Sequence, residues 1–297
     1  MHIQTKDIPY RPEMTDAGLD ASAPVSVVDE FCKLRTSYIA AERPLTLYLD
    51  KREIVTLMTL GTQPELLILG WLRNQHMVTD ITNIKSIQVD WETESVAVTT
   101  RQPDEHIEDK LNKRTITTGC GQGTVFGSLM DKIEKISLPQ TQIKQSTIYD
   151  LLLNLNNYND IYKRAGAVHG CALCNQSSIV QFVEDVGRHN AVDAIAGSMW
   201  LNQVEGVDKI FYTTGRLTSE MVIIVAQMGI PILLSRSGVT QMGRELARKV
   251  GVTLIARAKG RHFLVYNGTE CITFDAMHKA DANKRSGPSA SVRKIEN

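Results

Sequence analysis

The repeated alternation of short apolar strands and helices after about residue 178 most limits what this chain can fold into. Such alternation predicts a sheet with parallel strands and with helices on its faces. Ligands of such sheets bind at the carboxyl ends of the strands, beside the helix N-termini. The strand candidates are residues 179–183, 209–213, 231–234, 253–255 and 263–266, and the helix candidates are residues 191–199, 219–228 and 240–250.

A smaller α+β unit precedes this region. Its strand candidates are residues 45–49, 53–58, 84–89 and 96–100, and its helix candidate is residues 64–74. We therefore predict four segments along the chain. They are a poorly ordered segment at residues 1–29, a small α+β domain at 30–137 that ends in the Cys120 loop, an α/β domain at 138–276, and a disordered tail at 277–297.

Composition excludes several classes of function. Lys and Arg together number 33, as do Asp and Glu, so the chain has no general attraction for nucleic acid or for an anionic membrane, and any anion site must be local. No apolar run reaches the roughly 18–20 residues of a bilayer helix. Five cysteines, an odd number, do not indicate a secreted disulfide framework, so we expect a reducing cytoplasm.

Three loops that follow predicted strands combine cations, hydroxyls and glycine: residues 184–190, 213–220 and 235–240. Backbone N–H groups, hydroxyls and a guanidinium at a helix N-terminus commonly bind phosphate. The first loop also fits an acid–base role, or a solvated loop with a helix cap. Three such loops at equivalent positions favour a shared anionic ligand. The candidate ligand residues are Glu184, Asp185, Gly187, Arg188, His189, Asn190, Thr214, Gly215, Arg216, Ser219, Ser235 and Ser237.

A fourth candidate is residues 257–261, which place three cations and a glycine directly after a strand. This segment is either a basic surface turn or a diphosphate contact. The chain has no Walker pattern and no Gly-x-Gly-x-x-Gly at the start of a helix, which argues against an ordinary ATPase or dinucleotide dehydrogenase.

Cys120 is the candidate nucleophile. It lies in the sequence Thr-Thr-Gly-Cys-Gly-Gln-Gly-Thr, residues 117–124. Three glycines around one thiol remove side chains that would shield the sulfur and leave the backbone free. Lys113 and Arg114 lie upstream, where they could stabilise the reactive thiolate. A structural cysteine is the alternative.

The other cysteines have weaker signals. Cys171 and Cys174 form a C-x-x-C preceded by His169, which fits a zinc half-site, a redox pair, or two small apolar residues on one helical face. No second cluster completes a four-ligand zinc site. Cys32 and Cys271 have no companions, so we expect both to be structural.

With these loops and Cys120, the chain resembles the formate dehydrogenase accessory sulfurtransferase family, FdhD. The resemblance extends from about residue 40 to residue 275. The segments that carry it are Ala-Glu-Arg-Pro-Leu at 41–45, Leu-Gly-Trp-Leu at 69–72, Glu-Asp-Val-Gly-Arg-His-Asn at 184–190, Thr-Gly-Arg at 214–216 with Ser-Glu-Met at 219–221, Gly-Ile-Pro-Ile-Leu at 229–233 and the turn at 257–261.

The resemblance implies a sulfur carrier. Members accept a persulfide from a cysteine desulfurase and pass the sulfur to the molybdenum cofactor of formate dehydrogenase, a bis(molybdopterin guanine dinucleotide). It also implies homodimers and a larger domain with a three-layer, cytidine-deaminase-like α/β fold. The persulfide residue corresponds to Cys120. The cofactor segment corresponds to Ala256, Arg257, Ala258, Lys259, Gly260 and Arg261.

Two departures from the family pattern leave alternatives open. The family loop usually reads C-G-x-C, whereas Gly123 replaces the second cysteine here, and Ala258 replaces a basic residue. We hypothesise that Cys171 or Cys174 supplies a second thiol. The first alternative function is a cofactor-binding chaperone without sulfur transfer. The second is a zinc deaminase, although Gly170 and Cys171 follow His169 where a His-x-Glu pattern is required.

Overall fold

The computed structural model describes residues 10–104, 107, 115–116, 123–124 and 136–276. Its first half contains a five-stranded sheet of order β1-β6-β7-β4-β5 and a separate β2–β3 hairpin. The elements are β1 (Glu13–Met14), β2 (Ser22–Val28), β3 (Leu34–Ala40), β4 (Arg43–Leu49), β5 (Arg52–Thr59), α1 (Pro64–Asn74), β6 (Ile84–Asp90), β7 (Ser95–Thr100), β8 (Thr115–Ile116) and β9 (Gly123–Thr124).

The second half contains a six-stranded sheet of order β12-β11-β13-β14-β15-β16. Its elements are β10 (Ile143–Lys144), α2 (Gln145–Leu155), α3 (Asp160–Ala165), β11 (His169–Asn175), β12 (Ser178–Asp185), α4 (Arg188–Leu201), β13 (Ile210–Thr213), α5 (Ser219–Gln227), β14 (Ile232–Ser235), α6 (Gln241–Val250), β15 (Thr253–Lys259), β16 (His262–Asn267) and β17 (Ile272–Thr273).

The six-stranded sheet is mixed: the expected parallel strands are present in it, but antiparallel strands flank them. Only β13, β14 and β15 pair in parallel; β11 is antiparallel to both β12 and β13, and β16 is antiparallel to β15. The alternation of strands and helices after residue 178 is confirmed, but β11 precedes it and was not predicted. Its seven residues carry two cysteines, two small residues and a histidine, which is a poor strand signature.

The six-stranded sheet buries both faces. On one face it packs against α2, through Ile148, Leu151 and Leu155. On the other face it packs against α4, α5 and α6 in a larger core that continues into the five-stranded sheet. The fold is therefore mixed α/β with helices on both sides of this sheet. The division into domains at residues 137 and 138 stays a prediction. In the described part of the chain, no helix has both the length and the apolar character needed to cross a membrane.

The N-terminal segment differs from its prediction. Part of residues 1–29, expected to be poorly ordered, forms β1, which pairs with β6, and β2, which pairs with β3. Between these strands, polar groups bond to the five-stranded sheet and to α1. The Trp91 indole donates to the carbonyl of Ala17 at 2.7 Å, and the Thr15 hydroxyl donates to Glu65 at 2.7 Å. Residues 1–9 and the predicted tail at 277–297 lie outside the described residues.

Helices α1 and α4 cross with their backbones almost in contact, and this crossing joins the two halves. A β-carbon on Gly70 would lie 1.7 Å from the carbonyl oxygen of Asp193, and one on Gly197 would lie 2.0 Å from that of Leu66. Only glycine permits such an approach. The helices share a buried hydrogen bond as well, from the Asn74 amide to the Asp193 carboxylate at 2.7 Å.

We predict that Gly70→Ala lowers the free energy of unfolding by about 3 kcal/mol, because the new methyl group must push two helix backbones apart. Gly229→Ala is the matched control: its β-carbon meets nothing within 4 Å, so only its left-handed backbone, with φ of 74°, adds a cost of about 1 kcal/mol. Urea unfolding of both variants measures the difference. Equal losses of stability would show that the crossing is not tightly packed.

Candidate functional site

Four strands of the six-stranded sheet end at the same edge. Strands β12, β13, β14 and β15 run in one direction, and β11, which runs the opposite way between β12 and β13, begins at that edge. The three predicted loops follow β12, β13 and β14, so they do lie at equivalent positions. The unpredicted strand β11 adds His169 between them.

The last residue of three of these strands forms the same kind of turn. In each turn a side-chain oxygen accepts the backbone N–H of the residue two positions later, as Asx and Ser/Thr turns do. The N–H···O pairs are Gly187 to Asp185 at 3.2 Å, Gly215 to Thr213 at 3.1 Å and Ser237 to Ser235 at 2.9 Å. The Ser235 hydroxyl also donates to the carbonyl of Gly215 at 2.6 Å, which ties two of the loops together.

A pocket of about 430 Å³ opens at this edge. Its lining comes from the loops after β13 and β14, from β15, and from α3 with the start of β11: Thr214, Arg236, Ser237, Arg257, Asn159, Tyr162 and residues 168–170. Two guanidinium groups, the hydroxyls of two aliphatic residues, a phenol and an imidazole line it, and no carboxylate is among the described residues of the lining. This chemistry suits an anion.

Arg257 reaches the pocket through a local irregularity in β15. Its φ is 54°, which an arginine rarely adopts, and its pairing with β16 is interrupted between Ala256 and Lys259. The backbone N–H of Arg257 donates instead to the carbonyl of Ser237 at 2.9 Å. The strain therefore coincides with the pocket lining, and the guanidinium lies beside Gly238, where an added β-carbon would be 3.6 Å from it.

The same irregularity explains the two alanines of the predicted cofactor segment. Ala256 and Ala258 are both fully buried, but they pack in the two different cores, on opposite faces of the sheet. Neither lines the pocket. The missing basic residue at Ala258 follows from this burial, since an unpaired cation there would be costly.

Arg236 was not among the predicted ligand residues, although its neighbours Ser235 and Ser237 were. Burial raises the pKa of the neighbouring Tyr212 phenol above its usual value, and the charge of Arg236 opposes that rise. Arg236 itself is exposed and lines the pocket. Ser235 points inward and is fully buried, so it shapes the loop and does not face the pocket.

His169 lies at the start of β11, half-buried in the pocket wall. Its Nδ1 is 3.4 Å from the hydroxyl oxygen of Thr214, which also accepts the N–H of Gly170 at 3.0 Å. Burial lowers the pKa of His169, and the nearby charges of Arg188, His189 and Arg216 lower it further. Because β11 was not predicted, only the neighbouring C-x-x-C had drawn attention to this histidine.

Asp185 serves the scaffold. Its carboxylate accepts four hydrogen bonds, from the Thr59 hydroxyl at 2.6 Å, the Asn190 amide at 2.8 Å and the backbone N–H groups of Leu60 and Gly187, both at 3.2 Å. Burial raises its pKa, whereas these donors oppose that rise. Asp185 thus joins the end of β5 to the loop after β12.

Glu184 supports the part of the pocket lining that α3 provides. Its two carboxylate oxygens accept the backbone N–H groups of Ile161 and Tyr162, each at 2.9 Å. These bonds fix the first turn of α3, which carries Tyr162 into the pocket. Burial raises the pKa of Glu184. Its role is to position the wall, since its oxygens already face the protein.

Arg188 and His189 begin α4 and are both buried. The Arg188 side chain packs against Gly215 so closely that a β-carbon there would lie 2.8 Å from its Cδ, and its Nε has no hydrogen-bond partner among the described residues. The His189 Nε2 is 3.3 Å from a carboxylate oxygen of Glu220 on α5. Both side chains underlie the pocket without lining it.

The remaining predicted ligand residues lie around the pocket. Arg216 is exposed in the loop after β13, and Ser219 is the first residue of α5. Lys259, Gly260 and Arg261 form the exposed turn beyond β15, where the Arg261 guanidinium lies 5.8 Å from the centre of the Tyr149 ring. None of these five lines the pocket. Cys120 lies outside the described residues.

The C-x-x-C is in a strand and not on a helical face. Cys171 packs in one core and Cys174 in the other, so the two thiols lie on opposite faces of the sheet. Burial raises the pKa of each to about 12. The prediction that both cysteines are buried as small apolar residues is therefore confirmed. These positions argue against a redox pair, against a second relay thiol and against a zinc half-site; in the described part of the chain, no cluster of three metal-ligating residues occurs.

The other two cysteines differ from each other. Cys271 is buried, as expected of a structural cysteine, but Cys32 is exposed at the tip of the β2–β3 hairpin, which corrects its assignment. The hairpin turn places Cys32 at φ 57°, outside any core.

We predict that Asp185→Asn lowers the free energy of unfolding by about 3 kcal/mol, since an amide group would place N–H donors against donors that the carboxylate now satisfies. Asp150→Asn, an exposed change on α2, is the control and should alter stability by less than about 0.5 kcal/mol. Thermal unfolding measures both. Unchanged stability in Asp185→Asn would mean that this carboxylate is free for a ligand.

Comparison with known proteins places this arrangement in a family. The sulfur carrier protein FdhD of Bacillus subtilis is 29% identical over 235 residues, which cover 79% of this chain and 90% of that protein. The FdhD of Bacillus pumilus is 28% identical over 240 residues, covering 80% and 92%. A crystal structure described as a formate dehydrogenase accessory protein from Desulfotalea psychrophila matches with a TM-score of 0.67 and 26% identity, covering 85% of this chain and 98% of that one. A model of the FdhD/NarQ family matches residues 40–273, and the chain belongs to the FdhD/NarQ family.

Proposed function

We propose that this protein is a sulfur carrier in formate dehydrogenase maturation. The observation that carries the proposal is the pocket lined by Arg236 and Arg257, which suits an anion, in a chain whose relatives are named sulfur carrier proteins. Because positive and negative residues are equal in number over the whole chain, the cations in this pocket are a local feature and not the result of a generally basic protein.

The ligand that we propose is the bis(molybdopterin guanine dinucleotide) form of the molybdenum cofactor, bound as the client's cargo. Its diphosphates would contact Arg236, Arg257, Ser237 and Thr214. Guanidinium groups form paired hydrogen bonds to phosphate oxygens, and hydroxyls add further donors. The buried residues of the loops then act by holding these four in place.

Cys120 performs the sulfur step in this proposal, as a sulfurtransferase nucleophile. Its thiolate attacks the terminal sulfur of a persulfide on a cysteine desulfurase. A new S–S bond forms on Cys120, the donor's S–S bond breaks, and the donor cysteine leaves as a thiolate. The bound cofactor would be the acceptor of the terminal sulfur: it would supply the electron pair of the new bond, the Cys120 S–S bond would break, and Cys120 would leave as a thiolate. Since Cys171 and Cys174 are buried, a single thiol carries the sulfur.

The remaining parts of the proposal concern assembly and place. The partners are a cysteine desulfurase as donor and the catalytic subunit of formate dehydrogenase as client, and the protein acts as a homodimer in the cytoplasm. The three-layer arrangement of helices around the six-stranded sheet supports a cytidine-deaminase-like fold for the larger domain.

A chaperone that binds the cofactor without transferring sulfur is the second candidate. The replacement of the second loop cysteine by Gly123 favours it. Both functions need the pocket, so they differ only in whether the Cys120 thiol is required.

We predict that Cys120→Ala abolishes persulfide formation and rescue of formate dehydrogenase activity. The purified protein is incubated anaerobically with a desulfurase and cysteine, and the added sulfur is located by peptide mass mapping. Cys32→Ala is the matched control, since it removes an exposed thiol outside the Cys120 loop and should change neither result. Rescue by Cys120→Ala would favour the chaperone.

We predict that Arg257→Gly weakens binding of guanosine diphosphate at least tenfold while the free energy of unfolding changes by no more than about 1 kcal/mol. Glycine adopts the left-handed backbone of this position without strain, so the guanidinium is lost and the fold is kept. Lys259→Gly, an exposed change outside the pocket, is the control. Unchanged affinity in Arg257→Gly would contradict the proposed site.

A further inference from the structure

His169 stands out because no role has been assigned to it in sulfur transfer or in phosphate binding. It lies in the wall of the pocket, near Arg236 and Arg257. The Thr214 hydroxyl accepts the N–H of Gly170 and keeps its own proton available for the His169 Nδ1, 3.4 Å away. This arrangement suits the neutral imidazole with its proton on Nε2.

The surroundings of His169 disfavour a positive charge on it. Burial is the largest cause of its lowered pKa, and the neighbouring cations add to it. Tyr162 of α3 lines the same pocket, and no carboxylate is among the described residues that line it. The cations around it are Arg188 of α4, Arg216 after β13, Arg236 after β14 and Arg257 in β15, together with His189 of α4, which is paired to Glu220 of α5. The neighbouring strand β12 adds the carboxylates of Asp185, directly opposite His169 in the pairing, and Glu184, and both accept hydrogen bonds from other groups of the protein.

An anion in the pocket would favour the charged form of His169. A phosphate group beside the ring supplies the negative charge that the wall lacks, and an opposite charge within about 4–6 Å commonly raises the pKa of a histidine by one unit or more. The protonated ring would then offer a further charged donor to the anion.

We propose that His169 takes up a proton when a phosphate or diphosphate group enters this pocket, so that anion binding and protonation of the imidazole are coupled. The inference rests on the pocket of the proposed function and is independent of sulfur transfer. It makes His169 the residue through which pH sets how tightly the pocket holds its ligand.

The sign of the effect follows from linkage. A group whose pKa is higher in the bound state takes up a proton on binding, so affinity rises as pH falls from the bound pKa toward the free pKa. Each unit of increase in the pKa changes affinity by up to about tenfold across that range. A histidine that remains neutral gives no such change.

The experiment uses the full chain and inorganic pyrophosphate. Proton NMR follows the histidine ring signals from pH 5 to pH 8.5 with and without pyrophosphate, and His169→Gln identifies the signal. We expect its midpoint to move upward by one unit or more with pyrophosphate. Calorimetry over the same range should show a steeper pH dependence of affinity than in His169→Gln. His262→Gln, an exposed change at the start of β16, is the control and should behave as the unmodified chain does.

The outcomes separate the two proposals. One outcome is that pyrophosphate binds, that its affinity falls in Arg257→Gly, and that the His169 midpoint does not shift. This result would overturn the coupling and leave the proposed anion pocket standing. Failure of both pyrophosphate and guanosine diphosphate to bind would overturn the pocket and the coupling together. His169→Gln keeps a polar side chain of similar length, so we expect the variant to fold. Its unfolding curve checks this.

Discussion

The close crossing of α1 and α4 is the contact on which the rest of the structure depends. Gly70 and Gly197 let the two backbones approach so nearly that each helix packs against peptide groups of the other. Helix α1 packs against the five-stranded sheet, whereas α4 begins at the edge of the six-stranded sheet where the pocket lies. The crossing therefore fixes one half of the chain against the helix that starts with Arg188. Asp185, through its bonds to Thr59 and Leu60, makes a second, polar connection between the same two halves.

The pocket arises from strand direction. Since β11 is antiparallel to its neighbours, its first residue meets the last residues of β12 and β13, and His169 joins the loops that follow them. The turns at Asp185, Thr213 and Ser235 each consume a side-chain oxygen to hold one backbone N–H. Those oxygens are thereby withdrawn from ligand binding. What remains open to the pocket are the side chains just beyond them, Thr214 and Ser237, together with the arginines.

The resemblance to FdhD proteins and the geometry divide the predicted ligand residues into two groups. The Glu-Asp-Val-Gly-Arg-His-Asn segment at residues 184–190 is mostly buried and bonds to its own protein. Its role is to hold α3, α4 and the loop after β12 in place. Thr214, Ser237 and Arg257 line the pocket. A family motif can thus be dense in polar residues because a scaffold must satisfy its buried polar groups, and only some of those residues need meet the ligand.

The sequence by itself determined the alternation of strands and helices after residue 178, the positions of the three strand-end loops and the family to which the chain belongs. These follow from local patterns: apolar periodicity, glycine after helices, and a dense run of family motifs. Only the tertiary structure decided that β11 is a strand, that Cys171 and Cys174 point to opposite faces, and that Arg257 turns into the pocket while Ala256 and Ala258 turn into the cores. Each of these depends on strand direction or on a bulge in pairing, which are set by contacts between residues far apart in the chain. The composition of a short segment therefore does not predict strand direction or the position of a bulge.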